Sequence, residues 1–335
     1  MRAWDDRPPE PAAHAEPVAA ARQTPPGTDA HEHEREHGHS HGRDHGLGRP
    51  RIGIVGAGRV GTVLGVAFQR AGWPVAAVAS RDAERRARFG ALVPGAIGVT
   101  GPEGFLDAVD LIFLAVPDDA IGPLTAELRL YSGQSLVHTS GLLPAAVLAP
   151  AQAAGTMVAS FHPLVAFAEL ERALHDLEGA TVALEGDEPL VALLADLAEA
   201  IGAVPVRIEA GGKAAYHAAA VLAAGGFVAL LDAIALLARG AGLDEAGALA
   251  VYAPLIRQSL ANAEALGIAA AQTGPIVRGD AGTVEAHVEA MRRLAPGALE
   301  LYAAAARREI ALAEGRGGLS SEAAERLRAL LAKRR

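Results

Sequence analysis

The chain has 335 residues, of which 51% are hydrophobic, and it carries a net charge of −9 and no cysteine. This length is enough for two domains, and the negative charge argues against nucleic acid or an anionic membrane surface as the main partner. The absence of cysteine excludes disulfides, thiolate catalysis and cysteine–zinc sites.

Residues 1–48 are rich in Pro, Ala, Glu, Arg and His, show no periodicity, and are predicted to be disordered. Spacings such as His37-x-His39-x-His41 would allow several imidazoles to share one divalent metal ion. The alternative, which we favour, is a solvated tail with no selected metal. The segment holds His14, His31, His33, His37, His39, His41 and His45. No apolar stretch opens the chain, so we expect a cytoplasmic protein without a secretory signal.

A G-x-G-x-x-G loop follows the apolar run Ile52–Val55 and precedes an amphipathic helix predicted from about Val60 to Ala71. The first glycine permits a tight turn, the second lets a pyrophosphate approach the backbone, and the third allows close packing of the helix. The positive end of the helix then faces the phosphates. The predicted cofactor contacts in this loop are Gly56, Gly58, Arg59, Val60 and Gly61.

The next predicted strand, Val75–Ala79, ends in Ser80 and Arg81, where an NAD-binding unit usually carries an acidic residue. A hydroxyl and a guanidinium suit a 2′-phosphate, so we predict NADP(H) rather than NAD(H). Asp82 is expected to cap the following helix, Ala83 to Phe89. A Rossmann-like fold without nucleotide, or with a flavin or other nucleotide, is the alternative.

Strands and helices alternate from residue 49 to residue 209, which predicts an α/β fold with a doubly wound, mostly parallel Rossmann sheet. Long helices follow, so residues 210–335 are predicted to form an all-α domain for substrate binding and dimerisation. The longest apolar stretch, Ala214 to Ala238, is predicted to be a buried helix rather than a membrane span. Further strands are predicted at Leu111–Val116, Ser135–Thr139, Met157–Phe161, Thr181–Leu184 and Val204–Ile208.

The ends of the strands are where ligands bind in such sheets. The backbone of Ala115, Val116 and Pro117 is expected to pass the nicotinamide ribose, and Asp118 is expected to be a helix N-cap.

Two further strand ends carry polar side chains. Ser140 or Thr139 could hydrogen-bond a substrate carboxylate or the nicotinamide amide, or could serve only the turn. His162 could donate a proton or contact substrate, or make a structural hydrogen bond before Pro163.

Lys213 and His217 are four residues apart at the start of the first long helix, so they share one face. The helix dipole and burial both lower the pKa of a lysine at this position. Lys213 could therefore give a proton to the product of hydride transfer, while His217 holds the substrate or tunes Lys213. An exposed lysine and a satisfied core histidine are the alternative.

A polar segment from Gln272 to Asp280 interrupts the helical region. Arg278 could clamp a substrate carboxylate, with Thr273 as a second substrate contact. Arg278 and Asp280 could equally pair with each other.

Several motifs together resemble a bacterial family of proposed oxidoreductases that join a Rossmann-like domain to a helical C-terminal domain of unknown function. The resemblance covers roughly residues 50 to 315. The wider clan includes 6-phosphogluconate dehydrogenase, 3-hydroxyisobutyrate dehydrogenase, pyrroline-5-carboxylate reductase and ketopantoate reductase. The motifs are Ile54–Gly61, Leu114–Asp118, His138–Gly141, Ser160–Leu164, Lys213–Val221 and Thr273–Ile276.

In several members of this clan a helix lysine, with an asparagine four residues later, handles the substrate oxygen. The resemblance places Lys213 as that lysine, with His217 in place of the asparagine. It implies an NADP(H)-dependent reductase of a small 2-oxo acid such as ketopantoate, and a homodimer formed through the helical domain. A reductase of a cyclic imine carboxylate and a non-catalytic nucleotide-binding regulatory protein are the alternatives.

Overall fold

The computed structural model describes residues 49–332, which form an eight-stranded sheet followed by a run of helices. The strands are β1 Ile52–Val55, β2 Val75–Ala79, β3 Ile97–Val99, β4 Leu111–Leu114, β5 Ser135–His138, β6 Met157–Pro163, β7 Thr181–Gly186 and β8 Val204–Arg207. Helices α1 Arg59–Arg70, α2 Ala83–Leu92, α3 Asp118–Glu127, α4 Ala149–Ala153, α5 Leu170–Asp176 and α6 Glu188–Ala200 lie between the strands. The later helices are α7 Lys213–Val221, α8 Phe227–Gly240, α9 Glu245–Leu266, α10 Ala281–Leu294, α11 Leu299–Gly315 and α12 Ser321–Ala332.

The strand order is β3-β2-β1-β4-β5-β6-β7-β8. Neighbouring strands are parallel except for β6 and β7, which are antiparallel. The chain moves outward from β1 to β3 and then crosses back to β4, so the order reverses between β1 and β4. The predicted doubly wound, mostly parallel sheet is thus confirmed, and this switch point is where such sheets bind ligands.

The sequence analysis did not predict strand β3. β3 is only three residues long, contains Gly98, lies at the edge of the sheet, and follows Pro94 and Gly95. Edge strands of this length carry little periodicity, and the exposed Ile97 gives no burial pattern.

Both faces of the sheet are covered by apolar packing. Along β4, Leu111 and Phe113 point into one core and Ile112 and Leu114 into the other, as the alternation of a strand requires. The first core contains Phe113 against Phe68 of α1, with ring centroids 5.1 Å apart. Burial on both faces explains the continuous apolar runs of the strands.

The expectation that residues 214–238 form a helix is confirmed, but the expectation that this helix is buried is wrong. The run is helical, but a π-helical segment, Leu222–Gly226, lies between α7 and α8. It is also largely exposed: Leu222 retains 73% and Val228 64% of its accessible surface. Apolar composition predicted burial, but the chain's own described residues do not supply the covering surface.

The continuous stretch Lys213–Gly240 is long and apolar enough to cross a membrane by length and composition, and 6% of its most apolar window is buried. Membrane spans and apolar surface helices share this length and composition.

The disordered segment and the domain boundary both stay predictions. The disorder and the histidines of residues 1–48 lie outside the described residues. The boundary after residue 209 falls in the connection between β8 and α7, and it stays a prediction.

Candidate functional site

The three glycines of the loop have distinct backbone settings. Gly56 has a φ of 108°, and a Cβ there would lie 2.3 Å from the carbonyl oxygen of Ala115. A Cβ on Gly61 would lie 2.0 Å from the carbonyl oxygen of Gly56, whereas a Cβ on Gly58 would meet no atom within 4 Å. The outer glycines are therefore required by packing, and the middle one faces open space at the start of α1.

Among the described residues, no side chain caps the start of α1, so the backbone N–H groups of its first turn are available as hydrogen-bond donors. Gly58 precedes the helix and supplies no side-chain cap, and the first turn contains no acidic residue. The first amide groups of a helix have no partner within it, so they present a partial positive charge at this end.

A cavity of about 360 Å³, named the strand-end cavity below, lies where the glycine loop meets the ends of β4 and β5. The structure therefore brings most of the predicted cofactor contacts to one place. Its lining includes Gly58, Arg59, Val60, Ala115, Val116, Pro117 and Thr139.

A larger cavity of about 640 Å³, named the arginine cavity, adjoins the same loop. Arg59, Arg85 and Arg88 line it. Sequence reasoning missed Arg85 and Arg88, although their spacing of three residues on the helix after β2 is a signal that places both on one face.

Ser80 and Arg81, predicted to take a 2′-phosphate, do not line either cavity. The Ser80 hydroxyl accepts a hydrogen bond from the Asp82 amide at 3.3 Å, and Arg86 donates to the Ser80 carbonyl oxygen. Asp82 caps α2 as predicted, since its side chain accepts from the Arg85 amide at 3.0 Å. Asp82 also pairs with the Arg85 guanidinium at 3.2 Å.

Lys213 lies beside the turn after β5 and the middle of β6, and only 2% of its surface is exposed. Its ammonium donates to the Ser140 carbonyl oxygen at 2.9 Å and to the Ser160 hydroxyl at 3.3 Å. Burial lowers the pKa of Lys213 to about 8, against the opposing effect of Glu185 and Asp118. Burial is therefore the leading cause of a shift that was expected in this direction.

Asp118 is not a helix N-cap, which corrects the sequence expectation. Helix α3 begins at Asp118 itself, after Pro117. The Asp118 carboxylate instead accepts a hydrogen bond from the Ser140 hydroxyl at 2.8 Å. The same hydroxyl accepts from the amides of Leu142 and Leu143 at 3.1 and 3.0 Å, so it has a structural use in this turn.

His138 is fully buried, and its ring bridges the turn. Its Nδ1 accepts from the Ser140 amide at 3.2 Å, which leaves the proton on Nε2, 3.3 Å from the Pro144 carbonyl oxygen. Burial, followed by the charge of Lys213, lowers the pKa of His138 to about 4. The neutral ring is the form that satisfies both bonds.

His162 and His217 approach each other around Gly141. A Cβ on Gly141 would lie 2.6 Å from His217 Nδ1 and 2.7 Å from His162 Nε2. His162 Nδ1 lies 3.1 Å from the Tyr216 hydroxyl, and burial with the Lys213 charge lowers the pKa of His162 to about 4. His217 Nδ1 is buried and has no hydrogen-bond partner among the described residues.

The structure thus brings together four of the predicted site residues: Lys213, His217, His162 and Ser140. The side chains of Thr273 and Arg278 are exposed in the helical part. Asp280 caps α10 by accepting from the Thr283 amide and hydroxyl, at 3.0 and 2.7 Å. Sequence reasoning also missed Ser160, Tyr216 and Gly141, because these contacts join segments far apart in the chain.

Two family models match the chain: a Rossmann-like domain over residues 38–163 and the domain of unknown function DUF2520 over residues 180–309. The chain joins a Rossmann-like domain to a DUF2520 domain. The resemblance stated from the sequence is confirmed. The Rossmann-like match contains the glycine loop, and the DUF2520 match contains Lys213 and His217 and takes in β7 and β8.

Solved structures share this two-part architecture. Protein TM1727 from Thermotoga maritima is 26% identical, with 79% of this chain and 99% of that chain covered and a TM-score of 0.62. An imine reductase from a Pseudomonas species is 19% identical, covering 84% of this chain and 99% of that chain, with a TM-score of 0.62.

A reductive aminase from Aspergillus terreus, solved in complex with NADPH and ethyl levulinate, is 19% identical. It covers 84% of this chain and 98% of that chain, with a TM-score of 0.59. At this identity the two enzymes show the shared fold alone. A search of the curated proteins found no match.

Proposed function

We propose that this Rossmann-like and DUF2520 protein is an NADP(H)-dependent oxidoreductase. The observation that carries the proposal is the glycine loop at the sheet's switch point, where Gly58 faces open space beside a cavity lined by three arginines. Bare amides at the start of α1 and guanidinium groups are the chemistry that binds a phosphorylated dinucleotide. The NADPH complex of the similarly folded reductive aminase supports the same cofactor.

The preference for NADP(H) over NAD(H) rests on charge. Arg59, Arg85 and Arg88 line the arginine cavity. Ser80 and Arg81, which follow β2 and line neither cavity, stay proposed contacts for the 2′-phosphate. Asp82, the first carboxylate after β2, already caps α2 and pairs with Arg85. It is therefore engaged and not free to hold both ribose hydroxyls of NAD(H). The dissociation constants of NADPH and NADH test this, and tighter binding of NADH would contradict it.

When bound, NADPH supplies a hydride. Reduction also requires a proton, which Lys213 is proposed to donate. Ser140 and Ser160 accept two of the three N–H groups of its ammonium, and the third is left for the substrate. The Lys213 pKa of about 8 lets it donate a proton to a carbonyl oxygen or an imine nitrogen near neutral pH. His217, whose Nδ1 has no hydrogen-bond partner among residues 49–332, is proposed to hold the substrate.

We propose a small 2-oxo acid, ketopantoate-like, as the substrate, with His162 beside Lys213. Ser140, whose carbonyl oxygen adjoins Lys213, and the exposed Thr273 and Arg278 of the helical part are further proposed contacts. A cyclic imine carboxylate of the pyrroline-5-carboxylate type is the alternative within the same chemistry. A panel of 2-oxo acids and cyclic imine carboxylates, followed by loss of NADPH absorbance, separates them. Binding of NADPH without turnover of any panel member would instead favour a non-catalytic regulatory protein.

We also propose the partners of the protein. They are a small-molecule substrate and a second copy of this chain, and nucleic acid is not among them. The apolar face formed by Leu222, Val228 and Leu255 is exposed, with 73%, 64% and 56% of their surfaces accessible. Soluble monomers rarely expose contiguous apolar patches larger than a few hundred Å², and such patches mark protein or membrane contacts. We propose that a homodimer of a cytoplasmic protein covers this face.

A further inference from the structure

Residues 164–169 connect β6 to α5 and pass beside the glycine loop. Phe167 in this segment lines both the strand-end cavity and the arginine cavity. The two cavities also share Gly58 and Arg59. They therefore meet in the gap between the Phe167 ring and the first residues of α1.

The segment is tied down at both ends. The Leu164 amide donates to the Thr181 carbonyl oxygen at 2.8 Å, which extends the pairing of β6 with β7. Glu169 caps α5, accepting from the amides of Glu171 and Arg172 at 3.1 and 3.0 Å. Phe167 is thus carried on a short, anchored connection rather than on a free loop.

The ring is half-buried, and its inner side belongs to a small apolar cluster between α1 and α5. Val63 of α1 and Leu177 of α5 are buried members of this cluster, and Val165 packs against it. The rest of the ring faces the two cavities. Packing against the apolar cluster accounts for the inner side of the ring only.

We infer that Phe167 is a cofactor-contact residue that covers the dinucleotide where it passes from one cavity to the other. The inference rests on the proposed function, because a dinucleotide with one half in each cavity has to cross this junction. An aromatic ring on the side opposite Gly58 excludes water there. Exclusion of water strengthens the attraction of a diphosphate to Arg59 and to the free amides of α1.

The test is isothermal titration of the full-length protein with NADPH. Phe167→Ala is expected to weaken binding about tenfold, the loss expected when an apolar ring is removed from one face of a ligand. Phe167→Tyr keeps the ring and is expected to bind within about twofold of the natural protein. Val165→Ala is the matched control: it removes packing from the same cluster without lining either cavity, so the melting temperature falls and NADPH affinity stays unchanged.

A second measurement does not depend on the alanine variant folding. Phenylalanine labelled with ¹³C gives ring signals for the seven phenylalanines, and the signal missing in Phe167→Tyr belongs to Phe167. That signal is expected to shift when NADPH is added, more than those of Phe68 and Phe113 in the core.

The outcomes separate this inference from the proposed function. If the natural protein binds NADPH but the Phe167 variants bind equally well and the labelled signal stays in place, Phe167 has only a packing role and the inference is overturned. If the natural protein binds neither NADPH nor NADP⁺, the proposed cofactor is wrong, and the inference falls with it.

Discussion

Lys213, the first residue of α7, is a buried ammonium. Its bonds to the Ser140 carbonyl oxygen and the Ser160 hydroxyl tie it to the turn after β5 and to β6. Lys213→Met keeps the length of the stem and removes the proton. We expect kcat on the active panel substrate to fall about 100-fold, the scale of general acid catalysis, with NADPH affinity within about twofold.

The control for Lys213→Met is Ser160→Ala, which removes one acceptor and leaves the ammonium. An unchanged kcat in Lys213→Met, in a variant that still binds NADPH, would remove the lysine from the mechanism. In the natural protein, kcat is expected to fall as the pH rises above about 8, because the donor form of Lys213 is then lost.

The guanidinium groups of Arg85 and Arg88 set the proposed choice of cofactor. Arg85→Gln and Arg88→Gln are each expected to weaken NADPH binding about tenfold, since charge-assisted bonds to a phosphate are lost, and to leave NADH binding unchanged. Arg70→Gln, at the far end of α1 and exposed, is the matched control. An equal loss for both nucleotides would assign these arginines to the diphosphate rather than the 2′-phosphate.

His138 gives the fold a pH dependence. Its pKa is about 4 when folded and 6.5 ordinarily, so between these values the unfolded chain binds the extra proton. The free energy of unfolding therefore rises with pH between these two values. Acidification from above pH 6.5 to below pH 4 removes about 3 kcal/mol of His138's contribution to that free energy. Urea unfolding at a series of pH values measures this, and His138→Gln should flatten the slope; an unchanged slope in the variant contradicts the assignment.

At the scale of elements, α1 and its glycine loop connect the fold to the proposed function. Gly58 and Gly61 lie three residues apart but have opposite surroundings, since a Cβ is free at the first and clashes with the Gly56 carbonyl oxygen at the second. Gly58→Ala should therefore retain the melting temperature and weaken NADPH binding at least about tenfold, because the added methyl group occupies the open side of the loop.

Gly61→Ala is the counterpart of that variant. It should lower the melting temperature because backbone atoms, rather than a flexible side chain, occupy the position of the new Cβ. If both variants lose stability equally and bind NADPH as the natural protein does, the open space at Gly58 is not a phosphate site.

The elements that the sequence predicts well are those with strong periodicity and clear end signals. β2 spans Val75–Ala79 as predicted, and Asp82 caps α2, because both depend on neighbouring residues alone. The wrong predictions concern side chains whose partners lie far away in the sequence. Asp118 was expected to cap a helix, but the Ser140 hydroxyl reaches it from another strand end.

The same limit applies to the site. The spacing of Lys213 and His217 predicts a shared face, and His217 Nδ1 indeed approaches Gly141, yet the acceptors of Lys213 come from β6 and from the turn after β5. Local spacing carries no information about such pairings. It also does not reveal that Arg85 and Phe167 face cavities beside the same loop.

At the scale of the whole molecule, the exposed apolar face formed by Leu222, Val228 and Leu255 requires a covering surface. We expect sedimentation equilibrium to give twice the 34.2 kDa mass of the chain. Leu222→Glu combined with Val228→Glu should yield monomers, because a charge buried without a partner opposes association. A monomeric natural protein that partitions into lipid vesicles would instead assign Lys213–Gly240 to a membrane.

A phosphorylated dinucleotide is proposed to bind across the glycine loop, and the decisive measurement is a crystal structure of the full chain with NADP⁺. We expect the diphosphate at Gly58 and the start of α1, the 2′-phosphate in the arginine cavity with Arg85 and Arg88, and the nicotinamide in the strand-end cavity. A cofactor bound elsewhere, or a 2′-phosphate away from these arginines while Gly58 is left free, would contradict it.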